Sequence, residues 1–243
     1  MDFRRFNMIT FLLRSFLLIL FFAPLMSMGQ DVSFGLEART NIPLKDFKQQ
    51  LHANSFPELA AFGYYEFPGM PIAAGLSVGY GLYGSVLEKR NDLYDGDTEV
   101  YRIRRNNNIL NIKVHYRHYL PWVKYEKLFF DAQLGLGHMY TRFLIRENLF
   151  SETIEEGLDH GTYTMVFGFG LGYKLPITFK NEGTHLELKA IYNNSNPTRF
   201  LPKGAVNTTK NPGEDAVFNY NIQKASLQMF QIAIAIVGLN GTF

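Results

Sequence analysis

Nine polar and charged residues stand at alternate positions in segments whose other positions are largely apolar: Glu37, Arg39, Lys113, His115, Arg117, Asp131, Gln133, Glu187 and Lys189. Strand side chains point to opposite faces in turn, so each segment carries these groups on one face. Acids and bases gathered on one face admit two kinds of chemistry. Enclosed, they must pair, because a buried charge is tolerated only with a partner. Around an open lumen they would line a narrow polar conduit or a gate. The pairing reading puts Lys113 and Arg117 beside Asp131 and Glu187, with Asp131 on the hairpin arm adjacent to both bases.

Other chemistry finds less support. His115 and His118 are three apart on a strand and fall on opposite faces, which is unsuited to shared metal ligation. His138 has the parity of the apolar face near one end of its strand, where a lipid-modifying barrel hydrolase would hold a catalytic histidine, but no serine stands beside it. Glycines in 75–81 and 168–172 alternate within strands, whereas a phosphate loop opens a helix; here they serve close approach of neighbours. No metal, cofactor or nucleophile motif emerges, and the expectation is a protein without enzymatic activity.

The clearest of the elements that position these residues is a hairpin over 109–146. Leu110, Ile112, Val114, Tyr116 and Leu120 share one face, with His118 the exception; Asn111, Lys113, His115 and Arg117 share the other with Ile109 and Tyr119. After a turn at 121–127, Leu128, Phe130, Ala132, Leu134 and Leu136 alternate with Asp131, Gln133, Gly135 and Gly137. Similar period-two patterns occur at 32–42, 56–67, 72–85, 162–175, 184–193 and 222–238, giving eight strands. Connections near 68–71, 121–127 and 176–183 are short, and those near 45–55, 88–107, 147–160 and 194–219 are mostly long. They alternate without exception. An up-and-down transmembrane barrel has short turns at one end and long extracellular loops at the other. A soluble sandwich or barrel has no reason to segregate its loops this way. Aromatic residues gather near strand ends, Trp122 and Tyr173 toward the short turns and Tyr80, Tyr140 and Tyr163 toward the long loops. That is the layout of two interfacial girdles.

Composition agrees. There are 22 Phe, 14 Tyr and 21 Gly but no Cys, so stability must come from strand pairing and packing rather than disulfides. At the N-terminus, Arg4, Arg5 and Arg14 accompany the apolar run Phe16–Phe22, and Ser27-Met28-Gly29 supplies small residues. Residues 1–29 read as a secretory signal peptide, leaving one domain over 30–243. The formal charge of +2 lies in that leader, so the remainder is neutral and offers no electrostatic case for nucleic acid.

The segments Phe34-Gly35-Leu36-Glu37-Ala38-Arg39, Pro43-Leu44-Lys45-Asp46-Phe47, Gly75–Tyr80-Gly81 and Gly168–Pro176, with the terminal Phe243, resemble the small outer-membrane β-barrel domain family of Gram-negative bacteria, akin to opacity-type and OmpA-type barrels. The resemblance implies an eight-stranded antiparallel up-and-down transmembrane β-barrel in the cell outer membrane. It also implies contact with outer-membrane lipid and with the barrel-insertion machinery during biogenesis. Its function would be structural or a surface interaction, with an extracellular ligand met through 88–107 and 194–219. A small porin-like or translocation-associated channel and a lipid-modifying barrel enzyme remain alternatives. Phe243 departs from the family pattern: apolar residues of the last strand run on even positions from Phe230 to Ile236, and Phe243 is odd.

Overall fold

In the computed structural model the described residues are 32–95, 99–120, 127–148, 151–176, 184–211 and 213–239. The expected leader over 1–29, Trp122 and Phe243 lie outside them.

Eight strands close into an antiparallel ring: β1 (Val32–Pro43), β2 (Phe56–Glu66), β3 (Ile72–Arg90), β4 (Tyr101–Tyr119), β5 (Leu128–Arg146), β6 (Glu155–Pro176), β7 (His185–Ser195) and β12 (Met229–Leu239). Neighbours in the ring are sequence neighbours, and β12 closes it against β1 with Leu36 opposite Ile236 and Arg39 opposite Ala233. Closure leaves no unpaired edge in the wall, so every backbone donor there can be satisfied without water. At the short-turn end, Pro68-Gly69 reverses β2 into β3, with Gly69 at φ 72°, a left-handed conformation that favours glycine.

Leu36, Leu76, Leu134 and Ile234 alternate outward and are each more than half exposed, while Glu37, Ser77, Gln133 and Ala235 beside them are buried inward. Along β5 the outward apolar band runs from Leu128 to Leu136 and ends at His138, whose imidazole stacks on Tyr163. Ten residue steps at the usual strand rise and barrel tilt give a height of about 25 Å, the thickness of a bilayer's apolar core in such barrels.

Four strands outgrow the ring. β3, β4 and β5 have 19 residues each and β6 has 22, against 11 or 12 in β1, β2, β7 and β12. The surplus projects beyond the long-loop end as a four-stranded sheet. This corrects the expectation of loops at 88–107 and 147–160: β3 runs on to Arg90, β4 begins at Tyr101, β5 ends at Arg146 and β6 begins at Glu155. Arg and Asp suggested a loop there, yet Tyr101, Ile103 and Arg105 alternate inward against Arg102 and Arg104 outward, as a strand with two different faces requires.

Two further segments that read as polar loops are folded. Residues 45–51 form a short helix, α1 (Lys45–Leu51), with Phe47 and Leu51 buried. The long connection expected over 194–219 contributes, with residues 220–225, to two small sheets: β8 (Thr198–Phe200) with β11 (Gln223–Ala225), and β9 (Val206–Thr209) with β10 (Val217–Tyr220). Together they cap the barrel. Two bulges aim wall residues at this cap, as bulges commonly re-aim a side chain. The extra residue in β3 is Tyr83, which meets Phe56 and Phe200 edge-on at 6.3 and 6.5 Å. The extra residue in β6 is Asp159, which accepts hydrogen bonds from Arg105 Nε at 3.2 Å and Tyr220 at 2.8 Å.

Candidate functional site

The lumen is built in three layers. At the short-turn end, Phe62, Tyr64, Ala73, Tyr119, Phe129, Ala235 and Val237 pack into an apolar floor. Below it Glu66 accepts from Tyr119 at 2.8 Å and pairs with Lys174 at 3.2 Å. At the other end Phe47, Leu51, Phe56, Tyr83, Ile109, Met139, Phe200, Leu227 and Met229 form an apolar lid.

Between floor and lid lie four carboxylates (Glu37, Glu58, Asp131 and Glu187) and four bases (Arg39, Lys113, Arg117 and Lys189), all buried. Arg117 is the hub. Its guanidinium makes a bidentate pair with Glu187, Nη1 to Oε1 at 2.7 Å and Nη2 to Oε2 at 3.0 Å, and its Nε stands 3.6 Å from Asp131. The rings of Tyr64 and Phe129 cover its two faces, with centroids 4.0 and 3.8 Å from Cζ. A planar cation can thus be desolvated, its two Nη groups in hydrogen bonds, its Nε beside a second carboxylate and its faces on π-systems.

From this hub Lys189 bridges Glu187 at 3.4 Å and Glu37 at 2.6 Å. Glu37 takes Arg39 Nε at 2.7 Å, and Arg39 Nη1 reaches Glu58 at 2.7 Å. Asn41 donates to Glu58 at 2.9 Å and accepts from Gln231 at 2.6 Å. On the opposite wall Asp131 accepts from Tyr64 Oη at 3.2 Å and Gln133 Nε2 at 3.0 Å, and lies 3.1 Å from His115 Nδ1. The other ring nitrogen of His115 is 2.7 Å from Ser77 Oγ. The chain of contacts runs from β1 round to β7 with no net charge among its Lys, Arg, Asp and Glu side chains. Inward glycines make it possible: a Cβ on Gly79 would collide with the Glu58 carboxylate, and one on Gly172 with the Phe129 ring.

All nine inward residues singled out in the sequence lie in this layer, and Arg117 does stand beside Glu187 and Asp131. Lys113 differs from expectation. Its Nζ donates to Gln133 at 3.1 Å and Asn193 at 2.9 Å, and no carboxylate lies within ion-pair distance among the described residues. Lys113 stands opposite Gly135 on β5, which offers no side chain, and its Nζ reaches Gln133 two positions along that strand and Asn193 on β7. Glu58, Tyr64, Asn41 and Gln231 were not among the nine. All four have inward parity in their strands, Glu58 and Tyr64 in β2, Asn41 beside Glu37 and Arg39 in β1, and Gln231 between Phe230 and Ile232 in β12.

Outside the barrel, Tyr80, Leu110, His138 and Tyr163 form one row of cross-strand partners. His138 stacks on Tyr163 with centroids 4.2 Å apart and on Tyr140 at 5.0 Å. Tyr173 stands near the opposite rim of the wall, paired with Leu128 and Leu188. No group of three or more His, Cys, Asp or Glu residues is arranged to hold a metal among the described residues.

An apolar exterior the height of a bilayer, around a paired ionic interior, inverts the plan of a water-soluble protein. The chain is a filled transmembrane β-barrel, with the eight-stranded up-and-down architecture of the small OmpA-type barrels. No family model and no curated protein matches its sequence. Among solved structures it is similar to a major outer membrane protein of Thermus thermophilus, with 11% identity, 85% of this chain and 99% of that chain covered, and a TM-score of 0.46. It is also similar to Ail, the attachment invasion locus protein of Yersinia pestis (11% identity, 86% and 98% covered, TM-score 0.39). A third similar structure is the N-terminal β-barrel domain of Pseudomonas aeruginosa OprF (14% identity, 84% and 96% covered, TM-score 0.37).

Proposed function

We propose that this chain is an integral outer-membrane protein whose barrel is a rigid, non-conducting and non-catalytic mount for the sheet and cap that it raises above the membrane. The observation that carries this reading is the lumen, in which a charge-neutral, hydrogen-bonded layer is shut between an apolar floor and an apolar lid. Ions would have to break pairs that have no water to replace them. A rigid scaffold presenting surface segments is a common arrangement for interaction functions. Against a hydrolase speaks the packing of His138 between two tyrosine rings, where it has an aromatic rather than a catalytic partnership.

Planar-bilayer recording of the purified protein tests the closed lumen: no steps above baseline are expected, and stable unitary conductance would instead favour the small-channel reading. Cell fractionation with heat-modifiable mobility of unboiled protein tests the location. Surface protease should cut within residues 91–100 and 147–154 of intact cells, and recovery in the soluble periplasmic fraction would overturn the membrane reading.

A further inference from the structure

The projecting sheet carries a charge distribution that neither the barrel nor the cap uses. On its outer face, which continues the lipid-facing side of the wall, β3, β4 and β5 bring together Lys89, Arg102, Arg104, Arg142 and Arg146, with Arg102 directly opposite both Lys89 and Arg146. The carboxylate within ion-pair distance of this group, among the described residues, is Glu156, which takes Arg142 at 2.6 Å. Arg146 donates through Nε to Thr153 at 3.1 Å, and Lys89, Arg102 and Arg104 have no ion pair among the described residues. Inside the lumen every Arg has a carboxylate partner; here three Arg line a cavity of about 280 Å³ with Asn106, Leu144 and Asn148, and none of the three has one among the described residues.

Height identifies what such a cavity would meet. Arg104 and Arg102 are six and eight positions beyond Leu110 of the aromatic row on β4. At the usual rise and tilt that is about 15 and 20 Å above the edge of the apolar core. An ordinary headgroup layer is only about 5–8 Å deep, so this height is reached by a lipid whose headgroup is an extended saccharide, and the site opens sideways toward neighbouring lipids rather than upward. Three guanidinium forks suit phosphate oxygens bidentately, and amides suit sugar hydroxyls. We infer that the outer face of β3–β5 binds the phosphorylated saccharide headgroup of an outer-leaflet lipid, through Arg102, Arg104 and Arg146. The inference rests on the membrane reading above.

The test uses the full-length protein in detergent and three probes: rough lipopolysaccharide, the same lipid after enzymatic dephosphorylation, and heparin as a soluble polyanion. Wild type should bind phosphorylated lipopolysaccharide about tenfold or more tightly than the R102Q/R104Q/R146Q variant, and the dephosphorylated lipid with a similar deficit. K203Q/K224Q, which removes two cations from the cap, should bind like wild type. Equal binding by wild type and the triple variant overturns the site, and so does indifference to the lipid phosphates. Triple-variant-sensitive binding of heparin in preference to the lipid would overturn the lipid source in favour of a soluble sulfated glycan. Heat-modifiable mobility separates the two levels. A triple variant that inserts and shifts on boiling but binds normally refutes only the site, whereas a wild type without the shift refutes the membrane reading itself.

Discussion

Arg117 and Arg104 stand thirteen residues apart on one strand, and their surroundings are opposite. Arg117 points into the lumen, 1% exposed, with two carboxylates beside it and an aromatic ring on each face. Arg104 points outward above the membrane, with no ion pair among the described residues. The same side chain is a structural bolt in one place and an open binding group in the other. What differs is solvent. In the lumen an uncompensated charge would carry a desolvation penalty of several kcal/mol, so the barrel supplies partners; above the bilayer water screens it and no partner is required.

The comparison can be broken most severely at the bolt. Arg117→Ala should leave Glu187 without its bidentate partner and destabilise the barrel by about 3–5 kcal/mol, read by denaturant unfolding in detergent or lipid vesicles. Replacing both partners, as R117M/E187L, should recover much of that loss, because an apolar pair of similar volume avoids the desolvation cost; a double variant as unstable as R117A would deny the argument. Next comes the lid. Phe200→Ala removes a buried ring in contact with Phe47 and Tyr83 and should cost about 3 kcal/mol or more. It should also speed proteolysis in the cap before the wall is affected. Smaller again is the surface pair Arg142–Glu156, whose two side chains are each about half exposed; E156Q should shift stability by at most about 1 kcal/mol, and less in high salt. At the small end, Arg104→Gln alone should leave the unfolding curve within about 0.5 kcal/mol of wild type, since nothing in the fold depends on it.

The cap offers a titration on the same theme. Burial, followed by the Asp159 carboxylate to which it donates, pushes the Tyr220 phenol up to about 12. The neutral phenol is the form the fold favours. Its hold on β10 should therefore persist through neutral pH and be lost as pH rises from about 10 toward 12. The difference in tyrosinate absorbance between wild type and D159N should show one phenol, late-titrating in wild type, moved back toward the usual range by the substitution.

How much of this was legible depended on how local the cause was. The inward set from Glu37 to Lys189 and the outward set from Leu36 to Ile236 follow from period-two alternation, which a strand imposes residue by residue. The same alternation ran through Tyr101, Ile103 and Arg105, but a high local charge hid it, and the projecting part of β4 read as loop. Phe47 and Leu51 sit four apart in a seven-residue helix too short to announce itself by periodicity. Phe200 and Leu227 become a lid only when a long connection folds back over the mouth.

The sequence by itself determined which side chains face lipid and which face the lumen, and that the enclosed charges must be neutralised, because geometry and desolvation act at each position separately. Only the tertiary structure decided who neutralises whom. Arg117 meets Glu187 across the lumen from 70 residues away, and Lys189 meets Glu37 from 152. Lys113, at the same parity, meets amides instead. Those pairings depend on the stagger of eight strands around a closed ring, which no single strand encodes. The stagger also lifts four strands clear of the membrane, with Arg104 exposed on one and Arg117 bolted below it.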